Sequence, residues 1–321
     1  MPPLLLAGIV AGLALVLTAV LTPVVRGAAM SGGMVRQVQE DRWHRRPTPA
    51  IGGVAIFLGF GLAVGAGYLL DPDTTHGLMG RSPRAVVPWT PWDGLLLGAT
   101  VAFLVGLVDD FLHLGPLPKL LGQVVAASIL LVSGIGVWFT GWYPLDAALS
   151  LLWFVGLTNA LNLLDNMDGL AAGVAAIAGA YLALLFVLEG STGLAVLSLG
   201  FSAALVGFLA HNYPPARIFM GDSGSLFLGM LLSGLALSPG AGLSRSLLAV
   251  LAVPALVLAI PILDTTLVTV GRVLEGRSVA EGGRDHSSHR LVSLGLSEER
   301  AVWVLWILAA AAGSIGILFR T

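Results

Sequence analysis

The chain has 321 residues, of which 56% are hydrophobic and only 11% charged; soluble domains carry roughly 45–50% apolar and ~25% charged residues, so a soluble globular enzyme is excluded. The 42 glycines follow no Gly-X-Y period and cysteine is absent, which excludes collagen and a disulfide scaffold, and the net charge of −2 gives no reason to expect a nucleic-acid partner. What remains is an all-α polytopic integral membrane protein, with the lipid bilayer as its first partner.

Crossing ~30 Å of hydrocarbon takes ~20 residues of helix. Ten apolar stretches are read as spans, near 4–25, 50–70, 94–112, 119–138, 147–164, 169–188, 191–210, 224–238, 246–270 and 301–319, two of them short: Gly94 to Val108 and Gly224 to Ser238 run 15 residues each, so the flanking Asp109 and Asp222 sit at the membrane edge. The first of the ten has no basic residue before it and Arg26 behind it, the reverse of a signal peptide, so it is expected to remain as a span. With ten spans, both termini lie on one side. One set of loops holds Arg26, Arg36, Arg42, Arg45, Arg46, Lys119, Arg217, Arg272, Arg277, Arg284, Arg290 and Arg300, which is 12 of the 16 basic residues. The other holds Arg81, Arg84, Arg245 and Arg320. Basic loops stay inside, so the first set is expected to be cytoplasmic and both termini external, in a multi-pass protein of the plasma (inner) membrane. Trp89, Trp92, Trp138, Trp142 and Tyr143 fall on the outer side, where an aromatic belt belongs. Residues 1–321 read as a single transmembrane catalytic domain, its site formed by inner loops near 27–49, 109–118, 165–168, 211–223 and 271–300.

Asp109, Asp110, Asp165, Asp168, Asp222, Asp264 and Asp285, with His44, His113, His211, His286 and His289, all map to the inner side. Carboxylates at a membrane edge are costly unless paired, metal-bound or hydrated, so a one-sided cluster reads as a site facing the cytoplasm. In chain order, Arg42-Trp-His44-Arg45-Arg46 opens the second span, as a phosphate contact or a lipid-headgroup patch. Asp109-Asp110 closes the third. Adjacent carboxylates stay ionised only beside a cation or strong donors; the plain alternative is a solvated helix end.

Asn159, Asn162, Asp165 and Asn166 share one helix face, followed by Asp168-Gly169, and read as a polar site or as interhelical glue. From His211-Asn212 the chain runs through Arg217 and Phe219 to Gly221-Asp222-Ser223-Gly224-Ser225. Asp222 would cap the eighth span, or the following N–H groups would receive an anion. Asp264, after Pro254 and Pro261, would restart a kinked helix as its cap or serve chemistry. Arg284-Asp285-His286-Ser-Ser-His289-Arg290 forms a phosphate-sized cationic cluster, whose alternatives are a metal site and a solvated basic loop. Taken together, carboxylates without Cys favour a hard cation such as Mg²⁺ bridging phosphate oxygens, and phosphoryl transfer as the chemistry.

On Pro47–Gly53, Val108–Phe111, Asn159–Leu170, Pro215–Ser225 and Arg284–Arg290, in that order, the sequence resembles the polyprenyl-phosphate N-acetylhexosamine-1-phosphate transferases, of the glycosyltransferase family 4 type. The resemblance implies transfer of a sugar-1-phosphate from a UDP-sugar to a polyprenyl (undecaprenyl) phosphate, releasing UMP. It implies Mg²⁺, or Mn²⁺, on Asp222 and Asp165, with Asp109 and Asp110 near the attacking lipid phosphate. Asp165 and His289 join these as catalytic candidates. Arg45, Asn159, Asn162, Asp168, Asn212, Phe219, Arg284, His286 and Arg290 are the implied substrate contacts, and a homodimer is left open. Arg45 stands where the family commonly has Lys, and His286-x-x-His289 resembles the N-acetylglucosamine branch more than the consecutive histidines of the muramoyl-pentapeptide branch, the runner-up.

A single displacement is expected, with Asp109 as base or positioning group; a double displacement through a phospho-aspartyl enzyme stays open. A secondary transporter would carry its polar groups near the midplane. An intramembrane aspartyl protease would need a Gly before Met220-Gly221-Asp222, where Phe219 stands.

Overall fold

A computed structural model describes residues 1–33, 35–36, 48–72, 82, 84–238, 247–278, 283 and 285–319. Among these residues the chain forms twelve helices and one two-stranded ribbon. The helices are α1 (Pro3–Ser31), α2 (Gly52–Leu70), α3 (Pro91–Leu112), α4 (Pro116–Val132), α5 (Tyr143–Leu164), α6 (Leu170–Leu188), α7 (Thr192–Asn212), α8 (Gly221–Ala236), α9 (Leu247–Val257), α10 (Ala259–Leu274), α11 (Ser287–Ser293) and α12 (Glu298–Leu318). Strands β1 (Val35–Arg36) and β2 (Thr48–Pro49) pair antiparallel, Val35 opposite Pro49. The contacts expected of Arg45 and Arg284 lie outside the described residues.

Seven of these helices, α1, α2, α3, α5, α6, α7 and α12, are long and apolar enough to cross a membrane, which makes this a multi-pass membrane protein. The other expected spans are shorter helices, α4 and α8. The expected ninth span is two helices rather than one: it breaks at Leu258, between α9 and α10. Pro254 lies inside α9, and Pro261, in the first turn of α10, has no N–H to give the carbonyl of Val257, four residues back across the break.

Local sequence explains several helix starts. Thr90 and Asp93 form a reciprocal capping box at α3, with Pro91 in the first turn, and Ser297 accepts the Arg300 N–H at α12. α8 is the hub of the bundle, buried from Ser223 to Ala236 and packed by α2, α3 and α5. A Cβ on Gly53 would lie 2.1 Å from the Gly224 nitrogen, and one on Gly106 2.2 Å from the Asp222 carbonyl oxygen. Glycine at both positions lets α2 and α3 touch the α8 backbone, as small residues do in membrane bundles. Phe57 stacks on Phe103 at 4.0 Å and meets Phe227 edge-on at 5.4 Å, joining the same three helices one layer deeper.

Candidate active site

The N-terminus of α8 sits against the C-terminal turn of α3. α8 has no side-chain cap of its own; its N-cap is Met220, and Asp222 lies inside the first turn. The cap comes from across space. Asp110 Oδ1 accepts the Asp222 N–H at 2.7 Å and Oδ2 the Ser223 N–H at 3.0 Å. A carboxylate on these unpaired N–H groups is stabilised by the hydrogen bonds and by the helix dipole. Two expectations are corrected here. Asp222 is not the cap of this helix, and the anion received by its first N–H groups is Asp110.

Because its backbone is held by Asp110, the Asp222 side chain is turned elsewhere. Its Oδ1 accepts Asn162 Nδ2 at 2.5 Å and lies 3.0 Å from Lys119 Nζ. Asn162 also reaches the Ser225 hydroxyl at 2.8 Å. Lys119, in the first turn of α4, lies 2.9 Å from Asp109 Oδ2, so one ammonium joins two carboxylates from different helices. Asp109 Oδ1 accepts the Leu114 N–H at 2.7 Å, tying the α3–α4 turn to the same carboxylate. Sequence reasoning counted Lys119 only as a loop charge. The available signal was its uniqueness, since it is the only lysine among 16 basic residues.

The inner end of α5 extends this cluster. Asn162 points to Asp222, Asp165 closes the helix three residues later, and Asn166 accepts the Ser288 hydroxyl of α11 at 2.7 Å. Asn159, expected to contact substrate, instead forms a reciprocal amide pair with Gln123 at 2.6 and 3.3 Å and donates to the Val155 carbonyl, a tie between α4 and α5. Its amide therefore serves the interhelical role weighed as its alternative.

Asp168 and Asn212 brace loops. Asp168 Oδ2 accepts the Ala216 N–H at 2.7 Å; Asn212, 3% exposed, accepts the Gly169 N–H at 3.1 Å and donates to the Ile218 carbonyl at 2.9 Å. Phe219 contributes through its backbone, its N–H donating to Pro49 and its carbonyl accepting from Gly52. These three residues hold residues 213–220 in place to deliver Asp222.

The histidine-bearing segment forms the other wall. α11 begins after His286, whose Nδ1 lies 2.8 Å from Asp264 Oδ2, while Asp264 Oδ1 accepts the Ser287 N–H at 2.7 Å. Asp264 lies in the middle of α10 rather than at its start, so it caps α11 and not the helix that follows the break. His289 is buried, its ring 6.3 Å from that of His286. Arg290 Nε donates to the Asp285 carbonyl. Asp285 accepts from Arg272 Nε at 2.9 Å and Arg277 at 3.0 Å, and the Arg272 hydrogen bond holds its carboxyl below the ordinary value against the opposing effect of burial. Along α5 and α10 runs an apolar groove of about 530 Å³, lined by Trp153, Gly156, Leu157, Ala160, Ile262 and Thr265.

The sequence profile of glycosyl transferase family 4 matches residues 92–240, the stretch carrying Asp109, Lys119, Asn162 and Asp222. A probable undecaprenyl-phosphate N-acetylglucosaminyl 1-phosphate transferase of Bacillus subtilis is 34% identical over 303 residues, covering 90% of this chain and 78% of the relative. The chain belongs to glycosyl transferase family 4. Within the family it is also 34% identical to a decaprenyl-phosphate N-acetylglucosaminephosphotransferase of Mycobacterium tuberculosis H37Rv, over 95% of this chain and 81% of the relative. A phospho-N-acetylmuramoyl-pentapeptide-transferase of Desulforamulus reducens is 30% identical, over 84% and 81%.

Proposed function

We propose that this family member transfers N-acetylglucosamine-1-phosphate from UDP-N-acetylglucosamine to a polyprenyl phosphate, undecaprenyl phosphate in the first instance, and releases UMP at the cytoplasmic face of the plasma membrane. The observation that carries the reading is the Asp109–Lys119–Asp222 bridge at the buried N-terminus of α8. The relatives named for N-acetylglucosamine, at 33–34% identity, support the sugar over the muramoyl-pentapeptide relatives, at 30–32%. With ten crossings, the 12-to-4 split of basic residues supports external termini and an inward-facing site.

The chemistry is a displacement at phosphorus. An oxygen of the lipid phosphate bonds to the β-phosphorus, and the bond from that phosphorus to the oxygen bridging to the α-phosphate breaks. UMP leaves with the electron pair. A phosphate monoester is largely ionised near pH 7, so Asp109 serves to position the nucleophile rather than to strip a proton from it. Lys119 offers its ammonium to phosphate oxygens while keeping the two carboxylates from repelling one another. His289 and Arg290 supply donors for the diphosphate, where charge grows as UMP departs. The apolar groove between α5 and α10 suits the polyprenyl chain, since Thr265 on its wall adjoins Asp264 in sequence.

The residues present fit a divalent cation. Asp109 and Asp222, two carboxylates from different helices, already converge on one positive charge. That pattern suits Mg²⁺, which usually takes one or two carboxylates and completes its shell with substrate phosphates and water. Asp222 and Asp109 would hold it, with Asp165 as a further candidate. Bound there, Mg²⁺ or Mn²⁺ would neutralise the diphosphate oxygens as a Lewis acid.

Purified protein given undecaprenyl phosphate and a panel of UDP-sugars is expected to release UMP with UDP-N-acetylglucosamine and Mg²⁺, and Asp222→Asn to abolish release while staying folded. Comparable or faster turnover of the UDP-muramoyl-pentapeptide would move the protein to the other branch. Release of UMP from none of the donors would overturn the reading.

A further inference from the structure

Asp264 is 2% exposed and sits mid-helix in α10, so a charge there is expensive. Capping α11 does not require it. A neutral Asn would accept the Ser287 N–H equally well. That Asn oxygen would equally accept the Ser287 hydroxyl, which also donates to Asp264 Oδ1, and α11 is held besides by Ser288 on Asn166 and by the preceding Asp285 on Arg272 and Arg277. What the carboxylate adds is its second oxygen, 2.8 Å from His286 Nδ1. An ionised carboxylate only accepts, so Nδ1 must carry the proton. The ring is then fixed in orientation and tautomer, and Nε2 is the nitrogen left for a ligand.

We propose that Asp264 is a positioning residue for the sugar-phosphate transfer, holding His286 by Nδ1–H so that the unprotonated Nε2 is presented as a hydrogen-bond acceptor to a hydroxyl or N–H group of the UDP-sugar. This rests on the function proposed above. It accounts for an acidic residue that neither the family comparison nor the carboxylate cluster around Asp222 employs.

The test uses the full-length protein in detergent. Asp264→Asn keeps an acceptor for the Ser287 N–H but turns an NH₂ toward Nδ1, moving the ring proton to Nε2. Turnover should fall by about ten- to a hundredfold, the range found when a metal-ligating histidine loses the partner that orients it. The KM for UDP-N-acetylglucosamine should move less than about threefold. In a His286→Ala background the same change should cost less than about twofold, because its target is gone. ¹⁵N-histidine NMR should show the His286 proton on Nδ1 in the parent and on Nε2 in Asp264→Asn. His286→Asn, which can still donate to Asp264 but has no Nε2, should lose turnover with its melting temperature kept. Turnover of Asp264→Asn within about twofold of the parent, or an equal loss with and without His286, would reduce Asp264 to a helix cap and overturn the proposal. Retained turnover in His286→Asn would overturn it as well, even if Asp264→Asn does not fold. A parent that releases no UMP from any donor instead refutes the function beneath it, a result the NMR experiment does not depend on.

Discussion

Asp110 caps the helix that carries Asp222: its two oxygens take the Asp222 and Ser223 N–H groups at 2.7 and 3.0 Å. Adjacent in sequence, Asp109 and Asp110 are thereby divided in their work, one bound to Lys119 and the other to a helix N-terminus. α11 is built the same way, lacking a side-chain cap of its own and receiving Asp264 from α10. Both helices that carry candidate reacting groups are thus started by a carboxylate from another helix, which ties their position to tertiary packing.

Asp110→Ala should lower stability by about 0.5–2 kcal/mol, the range for losing a helix cap. Asp110→Asn, keeping one acceptor, should fall between the variant and the parent. Thermal melting of purified protein reads both. An unchanged melting temperature with lost turnover would give Asp110 a chemical role instead.

Removing Lys119 should expose two carboxylates to any added cation. Lys119→Met is expected to bind Mg²⁺ about tenfold more tightly, or ~1.4 kcal/mol, while turning over more slowly. Mg²⁺ titrations followed by melting temperature measure this. Equal Mg²⁺ affinity in parent and variant would mean that ammonium and metal do not share these oxygens.

Gly106→Ala would push a methyl group to 2.2 Å from the Asp222 carbonyl oxygen. Overpacking of this kind costs about 1–3 kcal/mol, so the variant should melt early and lose turnover. Gly61→Ala, with nothing within 4 Å of the new methyl, is the control and should match the parent.

The Asp285 carboxyl is held below its ordinary 3.8 by Arg272. A depressed folded-state pKa stabilises the fold fully above the unfolded value and loses that contribution as pH falls through the folded one. Acidification below pH 3.8 should therefore loosen the segment joining α10 to α11. Melting profiles against pH should show this acid-side loss in the parent and a smaller one in Asp285→Asn.

The chain contains no cysteine, so single replacements report orientation without background. Glu275→Cys should be shielded from an impermeant thiol reagent in intact cells, and Arg84→Cys should react. The opposite pattern would invert the map and place the site outside.

The sequence by itself determined the class of this protein. A run of apolar residues long enough to cross a bilayer is a helix almost regardless of its neighbours, because unpaired backbone groups are too costly there. The family was legible in the same way, through motifs each contained within a dozen residues. Partnerships between helices were not. Nothing in the order of residues says that Lys119 would stand between Asp109 and Asp222, that Asn159 would face Gln123, or that Asp264 would cap α11. Nor does it say that Asn212 would brace two loops. Each depends on which helix packs beside which, and α8 is reached so closely by α2 and α3 only because glycines remove the intervening side chains. A short polar side chain in an apolar bundle takes the nearest partner that burial allows, and only the packed structure decides which partner that is.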